Sequence, residues 1–157
     1  MNVEIERKFL VADATIVERA DGPPARLKQG YLATGETNVR VRVSPEKSWL
    51  TIKGKTIGIS RAEFEYEIPR GDAELMLTTL SRGVVIEKDR YLVREGALTW
   101  EVDVFHGANA PLILAEVELD SESEAVEIPD WVGEEVSGDA RFKNAHLALR
   151  PYGSWAR

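Results

Sequence analysis

The chain has no cysteine among its 157 residues, which excludes disulfides, thiolate metal sites and cysteine nucleophiles together. Any metal it holds must be bound mainly by oxygen. No apolar run approaches the roughly 18 residues of a membrane span. Acids and bases crowd the first residues with no apolar run behind them, so a signal peptide is not expected and the cytoplasm is the expected compartment. Base is in shorter supply than acid: 20 Lys and Arg stand against 27 Asp and Glu, a net charge of −7. Neutralising a duplex needs a basic surface, so neither nucleic acid nor membrane is an expected partner. The two histidines, His106 and His146, have no second histidine at ligand spacing and are read as structural or surface residues. No serine sits in a G-x-S-x-G elbow. Gly54-Lys55-Thr56 lacks the upstream glycine of a phosphate-binding loop, since Trp49 occupies that position.

What is present is a repeated pairing of charges. Glu4-Ile5-Glu6-Arg7-Lys8 puts Glu4, Glu6 and Lys8 on one face of a strand, because strand side chains alternate. The same spacing returns in Arg40-x-Arg42, Lys53-x-Lys55, Arg61-x-Glu63-x-Glu65-x-Glu67, Lys88-x-Arg90, Glu101-x-Asp103 and Glu116-x-Glu118. Like charges so placed lie about 7 Å apart and repel by about 2.4 kcal/mol at an effective dielectric of about 20. Solvent offsets this on an open sheet. A closed sheet whose polar faces meet offsets it better, with acids holding cations and bases holding a compact anion.

At 43% hydrophobic and 30% charged, the composition is that of one ordinary folded domain spanning 1–157. Strand composition marks residues 3–11, about 30–32, 39–43, 49–52, 62–68, 84–93, 97–104 and 112–119, eight strands divided by Gly, Pro, Asp and Asn. Helical spacing marks 71–80, a short run opened by Ser121, and 139–149. The expected class is α+β, mainly β: an eight-stranded antiparallel closed barrel with a few flanking helices, since closure removes exposed edges. Ile5, Val41, Ile52, Phe64, Tyr66, Trp100, Val102 and Val117 alternate with the charges. Their face should pack on helices or a second layer, leaving the charged face to line a polar lumen. The four tryptophans, Tyr31 and Tyr91 are read as packing residues, and Glu134-Glu135 as a solvated turn. Lys55 is divided between the barrel mouth and solvent, and Glu67 lies at or beyond the rim.

Glu4-x-Glu6-x-Lys8 is similar to the E-x-E-x-K signature of the triphosphate tunnel metalloenzymes, the CYTH superfamily. The likeness continues in family order through Gln29-Gly30-Tyr31-Leu32, Arg40-x-Arg42, Thr51-Ile52-Lys53, Arg61-x-Glu63-x-Glu65, Glu87-Lys88-x-Arg90-Tyr91, Glu101-Val102-Asp103-Val104-Phe105, Glu116-Val117-Glu118 and Arg141-Phe142-Lys143-Asn144. The ordered set is far more specific than its first motif. It implies a tunnel that binds a triphosphate with divalent metal and cleaves or rearranges it.

By that resemblance Lys8, Arg40, Arg42, Lys53, Arg61, Lys88, Arg90 and Lys143 would bind phosphate oxygens. Glu4, Glu6, Glu63, Glu65, Asp103, Glu116 and Glu118 would hold Mg²⁺ or Mn²⁺, with two ions expected and Glu4, Glu6, Glu116 and Glu118 foremost. Glu4, Glu6, Lys8, Lys53 and Lys88 form the implied catalytic set. Glu101 is either a ligand or an orienting acid. A short chain with few insertions to recognise a base or thiamine ring favours hydrolysis of inorganic triphosphate. Alternatives are a class IV-type adenylate cyclase, a thiamine or nucleoside triphosphate hydrolase and, in another class, a non-catalytic polyphosphate-binding module. Bare acids would repel phosphate, which weighs against the last. A homodimer is compatible with all of these.

Overall fold

The computed structural model describes residues 2–155. Nine strands form one antiparallel sheet: β1 (Val3–Val11), β2 (Ala25–Ala33), β3 (Asn38–Val43), β4 (Ser48–Lys53), β5 (Ser60–Ile68), β6 (Arg82–Glu95), β7 (Leu98–Phe105), β8 (Ile113–Glu118) and β9 (Val132–Glu135). In space they run β5-β4-β3-β2-β6-β7-β8-β1-β9, and β5 also pairs with β1, so the first eight in chain order close into a barrel. Closure rests on a short seam, Val3 to Ile5 against Ser60 to Ala62. The long neighbour contact of β1 is with β8, where Glu6 faces Glu118 and Lys8 faces Glu116.

Several sequence expectations change. The expected solvated turn at Glu134-Glu135 is instead part of β9, which pairs with β1 and brings Glu135 to Arg7 at 2.7 Å. The run opened by Ser121 makes no helix. Glu124 reaches back to the Asp120 N–H at 2.7 Å, as in a helix cap, but the chain continues as an irregular segment to Pro129, which cannot extend a helix. The expected helix over 139–149 breaks at Lys143, giving a 3₁₀ turn, Ala140–Phe142, and a six-residue helix α2, Asn144–Leu149. The other helix, α1 (Arg70–Thr79), lies where its spacing predicts.

Two apolar clusters cover the outside of the barrel. On one side Phe9, Val93, Trp100, Val102 and Val117 pack under Ile16, Trp131 and Val132. On the other, Val41 and Val43 pack under Ala73 and Leu77 of α1. α1 comes close to β2 at Gly30: a Cβ there would stand 2.8 Å from the Leu77 side chain, which would have to shift. Phe64 and Tyr66, expected to be covered, are 39% and 55% exposed, because neither layer reaches that part of β5.

A third cluster lies inside the barrel. Tyr31, Ile86, Phe105, Leu112 and Leu114, with Leu10 beside them, meet Phe142, Leu147 and Ala148. On β1, β6, β7 and β8 the lumen-facing row therefore changes from charged to apolar: Lys8 to Leu10, Lys88 to Ile86, Asp103 to Phe105 and Glu116 to Leu114. The helix α2 plugs the apolar end. It lies against the β6 backbone at Gly83, whose φ of +69° suits glycine and where a Cβ would come 2.7 Å from the Ala148 carbonyl carbon.

Candidate active site

The charged part of the lumen is a cavity of about 220 Å³. From β1 it takes Glu4, Glu6 and Lys8; from β3, Arg40 and Arg42; from β4, Lys53; from β5, Arg61, Glu63 and Glu65. Lys88 and Arg90 of β6, Glu101 of β7, Glu116 and Glu118 of β8, and Lys143 complete the charged wall. All but one of the residues expected at the site thus line one space. Asp103 is the exception: it is fully buried behind the wall, among the bases it holds. A second opening lies beside Thr56, Gly58 and Ile59 and shares Glu4, Glu6, Lys8, Arg61 and Lys143 with the main cavity.

Acids and bases are interleaved in local groups. Lys53 Nζ donates to both oxygens of Glu4, at 3.0 and 2.9 Å, and lies 3.3 Å from Glu63. Arg61 Nε donates to Glu4 at 3.1 Å. Arg90 forks onto Asp103 at 2.8 and 2.9 Å, and its third nitrogen reaches Glu101 at 3.2 Å. Lys88 Nζ stands 2.7 Å from Asp103. Lys8 lies 3.6 Å from Glu116 and donates to the Phe142 carbonyl at 3.1 Å. Glu65 accepts from Thr51 at 2.9 Å and from Arg40 at 3.4 Å, while the buried Arg40 Nε has no hydrogen-bond partner.

The fields follow from these groupings. Against burial, Lys53 and Arg61 hold Glu4 below the usual carboxylate range, and Lys8 and Arg90 hold Glu116 well below it. Against burial, Arg90 and Lys88 bring Asp103 down to about 2. Other acids move the opposite way. Burial, then Glu116 and Glu4, pushes Glu6 up to about 8, and burial with Glu4, Glu101 and Glu63 raises Glu118. Burial also raises Glu101, against Arg90. Among the bases, burial brings Lys88 down to about 7, with Asp103 opposing and Arg90 assisting. Burial with Arg40 and Arg90 brings Arg42 down to about 9.

These shifts describe a wall with unmet charge of both signs. Glu6 and Glu118 face each other across adjacent strands and are raised by further acids, an arrangement that a cation relieves. Their oxygens, with those of Glu4 and Glu116, fit a hard divalent ion such as Mg²⁺ or Mn²⁺. Among the described residues, no three acids or imidazoles already converge as ready-made ligands. Arg42 makes no ion pair among the described residues, and with Arg40 and Arg90 nearby it offers positive charge to an anion.

Two amides, the fully buried Gln29 and the half-buried Asn144, carry no signal of their own in the sequence. Gln29 accepts from Arg42 Nε at 2.9 Å, and Asn144 accepts from Lys88 Nζ at 3.1 Å. Each falls within a family-like segment but carries no charge. Lys55 lies in solvent with its side chain 70% exposed, and Glu67 stands at the exposed rim, 3.8 Å from Lys47. His106 pairs with Asp89 at 2.9 Å and lines neither opening. Tyr31 joins the apolar cluster and also lines the cavity.

The CYTH domain model matches residues 2–152. The chain is 45% identical over 153 residues to the inorganic triphosphatase of Acetivibrio thermocellus, covering 97% of each. It is 41% identical over 152 residues to the inorganic triphosphatase of Nitrosomonas europaea, covering 93% of this chain and 97% of the other. The crystal structure of the inorganic triphosphatase NE1496 matches with a TM-score of 0.66 at 37% identity, over 93% of this chain and 94% of that one. The PH1012 protein from Pyrococcus horikoshii shares the fold at 22% identity, with a TM-score of 0.57 over 76% of this chain and 79% of that chain. Charged tunnel, strand order and sequence agree, and the chain belongs to the CYTH domain family.

Proposed function

We propose that the protein hydrolyses inorganic triphosphate to diphosphate and phosphate in its charged tunnel, with Mg²⁺ or Mn²⁺, two ions in all. The observation that carries this reading is a cavity walled by interleaved acids and bases and closed at one end by apolar packing. The named activity of its relatives supports the same substrate. The alternatives weighed on sequence, adenylate cyclisation and hydrolysis of organic triphosphates, gain nothing from these relatives.

Phosphoryl transfer asks chiefly for charge neutralisation and alignment. Arg40 and Arg42 supply forked donors to phosphate oxygens, and Lys8, Lys53 and Lys88 supply point charges. Arg61, Arg90 and Lys143 extend the contact toward the openings. Asp103 fixes Arg90 and Lys88 from behind, which suits a positioning role better than metal ligation. Glu4, Glu6, Glu116 and Glu118, with Glu63 and Glu65 at the side, are the proposed metal-holding groups. A divalent cation bound there supplies neutralisation of phosphate oxygens and a bound water of lowered pKa. The acids would hold that ion, and the bases would hold the terminal phosphate by its oxygens and orient it.

The test is phosphate release by purified protein from tripolyphosphate with and without Mg²⁺ or Mn²⁺, with ATP and thiamine triphosphate run alongside. Metal-dependent release that is fastest on tripolyphosphate is the expected result. Cyclic AMP as the main product, or binding of polyphosphate with no turnover under either metal, overturns it. The same proposal places the protein in the cytoplasm and allows a homodimer, which cell fractionation and light scattering read out.

A further inference from the structure

Lys88 is a fully buried cation of the tunnel and Arg42 a half-buried one, and each meets a neutral amide. Arg42 Nε donates to Gln29 Oε1 at 2.9 Å, and Lys88 Nζ donates to Asn144 Oδ1 at 3.1 Å. The two amides touch each other, Gln29 Nε2 donating to Asn144 Oδ1 at 3.2 Å. Gln29 is fully buried and sits opposite Arg42 in the β2–β3 register. Asn144 opens α2, the plug. A continuous chain thus runs Arg42, Gln29, Asn144, Lys88, joining β3, β2, α2 and β6.

We propose that Gln29 and Asn144 are positioning residues, a neutral amide bridge that orients the Arg42 guanidinium and the Lys88 ammonium while leaving the charge of Arg42 uncancelled for the triphosphate. The choice of amide over carboxylate carries the argument. A carboxylate at either place would satisfy the same cation with a stronger, charge-assisted bond, although at position 29 it would give up the amide donor that reaches Asn144. Elsewhere the tunnel does use carboxylates: Arg90 and Lys88 meet Asp103, and Lys53 and Arg61 meet Glu4. At Arg42 an acid would relieve crowding by Arg40 and Arg90 and steady the fold, but it would spend the positive charge that binds phosphate. With Nε committed to Gln29, the two terminal nitrogens keep a fixed plane for a forked phosphate contact. On Lys88, the hydrogen bond to Asn144 and the ion pair with Asp103 together fix where the ammonium stands.

The inference rests on the triphosphatase reading and is tested separately from it. Gln29→Glu and Gln29→Met are compared with the unaltered enzyme for thermal unfolding, for kcat and KM on tripolyphosphate, and for metal-free tripolyphosphate binding by calorimetry. For Gln29→Glu the expected result is a melting temperature at or above that of the unaltered enzyme together with at least a tenfold rise in KM and in the metal-free dissociation constant, while kcat falls only a few-fold. Gln29→Met, which loses the bridge but adds no charge, should weaken binding less and melt lower. A residue serving only the fold would make affinity follow stability, with Met more harmful than Glu to binding as well as to melting temperature. That order, or a Gln29→Glu enzyme of unchanged KM, overturns the proposal. So does a Gln29→Glu protein less stable than Gln29→Met. Asn144→Asp repeats the test from the other end of the bridge, with the same coupled gain in stability and loss of affinity expected. An unaltered enzyme without triphosphatase activity would count against the proposed function alone, since metal-free binding still tests the bridge.

Discussion

The ammonium of Lys53 contacts both oxygens of the Glu4 carboxylate, at 3.0 and 2.9 Å, from a strand that is not adjacent to β1 in the barrel. A carboxylate held on both oxygens by Lys53, with Arg61 on one of them, is a tie across the lumen as well as a candidate ligand. Removing its charge leaves the buried Lys53 with Glu63 alone, at 3.3 Å, and the half-buried Arg61 without an acid among the described residues, a loss of at most about 3–5 kcal/mol by comparison with fully buried pairs. Glu4→Gln should therefore lower both stability and turnover, and denaturant unfolding beside a phosphate-release assay will show whether the two fall together.

Glu118 gives the opposite expectation. It has no ion pair or hydrogen-bond partner among the described residues, and its pKa is raised by burial and by Glu4, Glu101 and Glu63. Glu118→Gln removes repulsion from the fold while removing a proposed metal oxygen. The melting temperature without metal should hold or rise, and turnover should fall, with partial recovery at high Mg²⁺. Arg42→Ala should weaken substrate binding with no such recovery. Equal rescue of both variants by metal would contradict the division of roles.

The faces of the barrel were legible because charge pairs repeat with period two, which states which residues point together whatever the register. Thus Glu4, Glu6 and Lys8, or Lys88 and Arg90, could be placed in one lumen from spacing. The change of lining from Lys88 to Ile86 and from Asp103 to Phe105 was not legible as a closed end. It takes meaning only once neighbouring strands align those positions and α2 inserts Leu147 among them. Cover over Phe64 and Tyr66 was overestimated, since an alternating strand does not reveal where a helix stops. The edge strand β9 has four residues, one of them Gly133, too few to display a period. Gln29 and Asn144 escaped because a neutral side chain shows its use only through its partner.

Glu6 makes the tunnel pH-sensitive. Its pKa rises from an ordinary 4.5 to about 8, so between those values the folded protein keeps a proton that the unfolded chain has lost. Its contribution to stability is complete below pH 4.5 and is lost as pH rises toward 8. Glu6→Gln should flatten that decline in melting temperature. Metal binding requires the ionised carboxylate, so Mg²⁺ affinity should increase with pH up to about 8 and binding should release protons. Calorimetry in buffers of different ionisation enthalpy measures that release; its absence at pH 7 would remove Glu6 from the ligand set.

Opposed charges also predict how ligands stabilise the fold. A ligand that binds the native state alone raises the melting temperature by mass action. Metal satisfies the acids and triphosphate the bases, and each lowers the repulsion met by the other. Thermal unfolding with Mg²⁺, with a non-hydrolysable triphosphate analogue, and with both should show a joint shift larger than the sum of the separate ones. Strictly additive shifts would mean that Glu4-x-Glu6 and Arg40-x-Arg42 do not share a site.

The plug couples core packing to affinity. Leu147 is fully buried among the lumen apolar residues, three and four positions beyond Asn144 and Lys143, which face the charged cavity. Leu147→Ala should cost about 2–5 kcal/mol, as for other buried leucines. Because α2 carries Asn144, and Lys143 precedes it, loosened packing should also raise KM for tripolyphosphate. Val102→Ala supplies the comparison: Val102 is equally buried, but on the outer side of the barrel against Trp100 and Trp131. It should lower stability and leave KM near that of the unaltered enzyme. Should both variants raise KM in proportion to the stability they lose, the effect would belong to the fold at large and α2 would have no special hold on the site.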